Sequence, residues 1–121
     1  MKQTSIRFNE GALKQYQKLQ ESVINGKISK KKPTYEQLLK SINKVLYKIK
    51  NNPNCGDLIP RKYLTKATIN KYNTDKIFRI ELIGYWRLLY TLVQGELKIL
   101  AFILDFMDHK DYNKLLGYKK K

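Results

Sequence analysis

The 121-residue chain holds one cysteine and one histidine, and these two counts remove whole classes of chemistry. A lone Cys55 allows no internal disulfide and no thiolate zinc cluster. A lone His109 excludes multi-histidine metal sites, and no cofactor motif is present, so neither metal nor cofactor is expected. Cys55 and His109 could act as nucleophile and base only if the fold joined them. Cys55 lies in the loop Asn51-Asn52-Pro53-Asn54-Cys55-Gly56, where nothing recommends it for that role. The chain also lacks any run of about 18 apolar residues and any basic-then-apolar leader at its start. A cytoplasmic protein with no membrane association is therefore expected. Acidic residues are scarce as well: 10 Asp+Glu against 25 Lys+Arg leave a net charge of +15. No long low-complexity tail carries that excess, so the folded surface itself must be positive. Its natural partners are polyanions: RNA, DNA, a ribosome, or an acidic protein that neutralises it.

What is present suffices for one domain of mixed class, read as 1–121. Ile6 and Phe8 flank Arg7 in a short first strand. Asn9 then offers a helix cap, and Ala12, Tyr16, Leu19 and Val23 recur at helical spacing until Asn25-Gly26, which predicts a helix over 10–24. A lysine loop follows, with Lys27, Lys30, Lys31 and Lys32. Thr34 and Gln37 form a capping box. The second helix carries Tyr35, Leu38, Leu39, Ile42, Val45, Leu46 and Ile49 on one stripe and Lys40, Lys44 and Lys48 on the other, ending at Asn51-Asn52-Pro53. The two helices are expected to pair antiparallel and to cover a sheet. Residues 54–75 are the least regular part, basic through Arg61, Lys62, Lys66 and Lys71, and read as a partly ordered flap or a connector.

Three strands are predicted after it, over 76–83, 85–93 and 97–106, with short turns at Gly84 and at Gln94-Gly95-Glu96. Successive side chains of a strand point to opposite faces. Phe78, Ile80 and Leu82 thus oppose Arg79 and Glu81, and Trp86, Leu88, Tyr90 and Leu92 oppose Arg87, Leu89 and Thr91. If the first turn spans 83–85, Arg87 lies across from Glu81, and Arg79 shares their face. That face is either a charged cluster on a rigid floor, suited to catalysis or anion binding, or a solvated sheet face with cross-strand ion pairs. The apolar run 97–106 suits a central strand buried on both sides. Beyond it, Asp108 can cap a short helix that Gly117 ends. His109 then stands in its first turn with Tyr112 one turn later. Helix N-termini disfavour imidazolium, which suits a proton acceptor there.

The order strand, two helices, meander resembles the RelE/ParE superfamily of type II toxins, here with Gly84-x-Trp86-Arg87-Leu88-x-Tyr90 and a His109-Lys110-x-Tyr112 terminus. More narrowly, Gly56-Asp57-Leu58-Ile59-Pro60-Arg61-Lys62, Lys71-Tyr72-Asn73-Thr74-Asp75 and Gly117-Tyr118 resemble an archaeal branch. The resemblance spans nearly the whole chain. It implies an α+β fold with an N-terminal strand and two antiparallel helices packed on a twisted, mainly antiparallel sheet of three or four meander strands, then a short C-terminal helix. It also implies metal-independent mRNA cleavage on the ribosome, in which the RNA's 2′-OH attacks the adjacent phosphate. Arg87 matches the arginine that holds the scissile phosphate, Arg79 a basic residue of the preceding strand, and His109 and Tyr112 the C-terminal acid/base and aromatic positions. Glu81 falls where the RelE type has a second basic residue, and is either a general base or the ion-pair partner of Arg87. Asp105, Asp108 and Asp111 also depart from that type. Arg61, Lys62, Lys66, Lys110 and Lys119 are the expected RNA contacts. Expected partners are mRNA, the ribosome and an acidic antitoxin, with a monomeric free form. A gyrase-binding toxin of the ParE type, or a non-catalytic RNA- or protein-binding relative, remains the alternative.

Overall fold

The computed structural model describes residues 2–116; Gly117, Tyr118 and Lys119, to which a helix stop and an RNA contact were assigned, lie outside them. The first strand is β1, Gln3–Phe8, and the first helix is α1, Glu10–Ile24. Asn9 Oδ1 accepts from the Ala12 N–H at 2.8 Å to start α1, and Gly26, at φ +65°, follows its end. The second helix, α2, spans Tyr35–Asn51. Its capping box closes in both directions: Gln37 Oε1 takes the Thr34 N–H at 3.0 Å, and Thr34 Oγ1 takes the Gln37 N–H at 3.1 Å. Leu38, Ile42, Val45 and Ile49 bury the α2 stripe, while Tyr35 at its start stays exposed.

These helices lie on a five-stranded sheet of order β1-β5-β4-β3-β2, with β2 at Asp57–Leu58, β3 at Phe78–Glu81, β4 at Arg87–Gln94 and β5 at Lys98–Met107. β1 runs parallel to β5, from Gln3 opposite Lys98 to Phe8 opposite Ile103, and every other pairing is antiparallel. The meander expected from the sequence is thus widened at both sides. β5 is interior and well buried, as its apolar run requires. Between Leu89 and Tyr90 the β4–β5 register slips by one residue, which leaves Leu104 as an extra residue on β5.

Both faces of the sheet are covered. On one, α1 and α2 pack over Leu82, Leu88, Tyr90, Ala101, Ile103 and Phe106. On the other, Ile77, Leu89, Leu104 and Met107 lie beneath Ile59, Leu64, Tyr72, Tyr112 and Leu116. This second core corrects the reading of residues 54–75. They are β2, one 3₁₀ turn at Arg61–Tyr63, and a third helix, α3, at Lys66–Tyr72. Thr65 caps α3 through its hydroxyl, and Asn73 ends it in the left-handed region at φ 56°. The fourth helix, α4, spans His109–Leu115 and is tied to α3 where Thr68 Oγ1 donates to the Leu115 carbonyl at 2.7 Å.

The loop from α2 to β2 is fixed by one hydroxyl. Tyr90 Oη donates to the Pro53 carbonyl at 2.8 Å and accepts from the Gly56 N–H at 2.9 Å. The approach leaves no room for a side chain, since a Cβ at Gly56 would stand 2.7 Å from that oxygen. Burial pushes the Tyr90 phenol above its ordinary value, although the Gly56 N–H draws it the other way. Tyr90→Phe orphans a donor and an acceptor at once, and a loss of about 1–3 kcal/mol in urea unfolding is expected. An unchanged midpoint would contradict this account of the loop.

Candidate functional site: an arginine pair on a buried tyrosine

The geometry begins at the β3–β4 turn, Ile83–Tyr85. Gly84 has φ +67° and Tyr85 φ +64°. Glycine is required at 84 twice over, because a Cβ there would meet Pro33 Cδ at 2.6 Å. α2 braces the same turn, with Ser41 Oγ accepting from the Ile83 N–H at 2.9 Å. Tyr85 has no such freedom, and a left-handed backbone costs it roughly 1–2 kcal/mol. Its carbonyl is turned back to accept from Arg87 Nη1 at 2.7 Å. The sequence reading places Tyr85 at the start of a strand; the left-handed pair instead delays β4 to Arg87.

The turn sets the register. Glu81 faces Arg87 and Arg79 faces Leu89, so Arg79, Glu81 and Arg87 share a face as the alternation requires. Arg87 Nη2 lies 3.6 Å from Glu81 Oε1. The Arg87 side chain is only 13% exposed against 71% for Glu81, so this pair is half solvated rather than open. Arg87 Nε is buried and has no hydrogen-bond partner among the described residues. Buried charged donors are rarely left this way in folded proteins. The face is therefore neither a bare charged floor nor a solvated sheet surface, because the second core continues up to it.

The cover over the arginines is Tyr112 of α4, 2% exposed. Its ring centroid lies 5.3 Å from Arg87 Cζ and 5.8 Å from Arg79 Cζ. Arg79 Nη1 also donates to the Tyr112 hydroxyl at 3.2 Å. Two guanidinium groups thus share one aromatic ring, whose quadrupole offsets part of their mutual repulsion. Asp108 Oδ1 accepts from the Asp111 N–H at 2.9 Å and caps α4, which fixes Tyr112 inward. His109, one turn earlier, is exposed, and its ring meets Tyr85 edge-on with centroids 6.2 Å apart.

The other expected residues are spread over several elements. Arg61 is exposed and ion-paired to Asp75. Lys62 is exposed, with Nζ 5.1 Å from the Tyr63 centroid. Lys66 opens α3, and Lys110 lies exposed on α4. Asp105 is occupied structurally: it accepts from Tyr72 Oη at 2.6 Å and from Gln15 Nε2 at 2.7 Å. Cys55 packs against the helix-side core, on the opposite face from α4, so it is not joined to His109. Sequence reasoning gives Tyr85 a place in a strand but no role at the site. It is 73% exposed, next to Arg87 through its carbonyl and to His109 through its ring, and the glycine before it is a signal for the turn.

A solved structure of a YoeB/ParE toxin from Agrobacterium tumefaciens is similar to this chain, with a TM-score of 0.55 and 13% identity over 90% of this chain and 99% of that one. The fold is RelE/ParE-like. No protein-family model matches the sequence, and no curated protein matches it. Among the described residues, no helix is long and apolar enough to cross a membrane.

Tyr72, the last residue of α3, supplies a test of this packing. Burial first, then the Asp105 hydrogen bond, pushes its phenol above the ordinary value of 10.0. The native state holds that proton more tightly than the unfolded chain, so the stabilisation is complete below about pH 10 and is lost as pH rises beyond it. Tyr72→Phe should flatten the alkaline fall in stability by up to about 1.4 kcal/mol per pH unit. Urea midpoints measured from neutral to alkaline pH check this, and an equally steep fall in the variant contradicts it.

Proposed function

We propose that this chain is a toxin of the RelE/ParE type that cleaves mRNA on the ribosome and is silenced by an acidic antitoxin. The observation that carries the reading is the pair Arg79 and Arg87 on the Tyr112 ring, with Arg87 Nε unpartnered. A phosphate there would meet two fixed cations, and an arginine fork can grip two of its oxygens. In this reading the RNA's 2′-oxygen attacks the adjacent phosphorus. The O2′–P bond forms, the P–O5′ bond breaks, and the products are a 2′,3′-cyclic phosphate and a 5′-hydroxyl. The guanidinium groups offset the charge growing on the phosphorane. His109, placed at a helix N-terminus, takes the 2′-OH proton, a water protonates the departing 5′-oxygen, and Glu81 holds Arg87 as its ion-pair partner. Tyr112 positions both arginines, and the exposed ring of Tyr85 beside His109 offers a base a stacking face.

The exposed basic residues Arg61, Lys62, Lys66 and Lys110 support RNA as the partner, as does the net charge of +15. That charge also fits an acidic antitoxin and a cytoplasmic site of action. The Gly56–Lys62 and Lys71–Asp75 segments support placement in the archaeal branch of these toxins. A second reading, a gyrase-directed or purely binding relative, is favoured by the low exposure of Arg87, 13%, and by its hold on the Tyr85 carbonyl.

Translation of a defined message in a purified system separates the two. Wild-type protein should cut the message. Arg87→Ala should slow cleavage by about 10²–10³ and His109→Ala by about 10²–10⁴, with unchanged circular dichroism. Variants that cut like the wild type defeat the assignment. Intact message together with blocked supercoiling by gyrase selects the second reading.

A further inference from the structure

A surface away from the arginine face is distinguished by its charge. Residues 22–56 contain eight lysines against Glu36 alone. Lys40, Lys44 and Lys48 are exposed on the side of α2 turned away from its buried stripe. Steps of four residues carry them along nearly one line, about 6 Å apart along the helix axis. Tyr47, 71% exposed, stands beside that line. Among the described residues, none of these three lysines has an ion-pair partner, and Glu36 forms none either. Like charges four apart weaken a helix, so the row is held at a cost. It is also connected to the arginine site, since α2 supports the Ile83–Tyr85 turn through Ser41, and Pro33 closes on Gly84.

We propose that the outer face of α2 grips the phosphate backbone of folded RNA, as a second contact separate from the face where a strand is cut. The chemistry favours RNA over an acidic protein. Protein interfaces deplete lysine and need an apolar centre, and this face offers lysines with Tyr47 as its one exposed large apolar group. Neutralising phosphates needs only mobile point charges in a row, and a tyrosine among them can stack on an unpaired base. The proposal rests on the RNA reading for the identity of the polyanion, and its test reads binding without cleavage.

A short labelled RNA duplex is titrated with the protein by fluorescence anisotropy between 50 and 200 mM salt. Each phosphate neutralised contributes roughly 0.7–0.9 to the slope of log K against log salt. Lys40→Gln/Lys44→Gln/Lys48→Gln should therefore lower that slope by about 2–3 and weaken binding by at least about tenfold at the low-salt end. Replacing the same three with arginine should restore both. The charge-matched control Lys2→Gln/Lys76→Gln/Lys98→Gln, also exposed, should stay within about twofold of wild type. Equal losses in the two glutamine variants would mean diffuse attraction and would overturn the proposal, as would an unchanged ridge variant. Polyglutamate of matched charge binding as tightly as the duplex, with the same dependence on these lysines, would reassign the face to an acidic protein. None of these outcomes depends on whether Arg87→Ala abolishes cleavage, so the two readings stand or fall separately.

Discussion

Two guanidinium groups rest on one buried phenol ring, and much of the molecule serves to keep them there. Arg79 and Arg87 come from adjacent strands and repel one another. Both lie against the ring of Tyr112; Arg79 also donates to its hydroxyl, and Arg87 is held by the Tyr85 and Trp86 carbonyls and by Glu81. Remove the ring and both charges lose its quadrupole, and Arg79 also loses the hydroxyl it donates to. The arrangement is possible because Tyr112 belongs to the second core, together with the flap, and cannot swing away without opening that core.

The sheet therefore does two jobs with its two faces. The α1/α2 face is an ordinary amphipathic packing that fixes where the strands lie. The opposite face begins as a core at Ile77, Leu89 and Met107 and ends as a charged site at Arg79, Glu81 and Arg87. The boundary between the two environments lies within single strands. This is how Arg87 comes to be mostly buried while its pair partner Glu81 is mostly in water. The low-dielectric side strengthens the electrostatic contacts of Arg87, while Glu81 keeps its carboxylate in water.

The parts of this that could be read from the sequence were those with short-range causes. α1 and α2 follow from periodicity and caps, and Glu81 opposite Arg87 follows from strand alternation about Gly84. What escaped has long-range causes. α3 is only seven residues long and shows no apolar stripe, because Thr68 and Tyr72 are its only buried residues and their partners are Leu115 and Asp105. The left-handed Tyr85 was hidden because tyrosine favours strands, while the bracing of its turn comes from Ser41 and Pro33, far back in the chain. The depth of Arg87 was equally invisible, since it depends on where α4 folds back. Alternation assigns a residue to a face but does not say what covers that face.

We propose that this arginine pair stabilises attack by an RNA 2′-hydroxyl on its neighbouring phosphate. The most direct measurement is the chemistry of the RNA ends left on a message translated in the presence of the wild-type protein. A 2′,3′-cyclic phosphate upstream and a 5′-hydroxyl downstream are predicted, and cleavage should vanish at a step whose 2′-hydroxyl is replaced by hydrogen. A 3′-hydroxyl with a 5′-phosphate, or undiminished cutting at the 2′-deoxy step, would contradict the account.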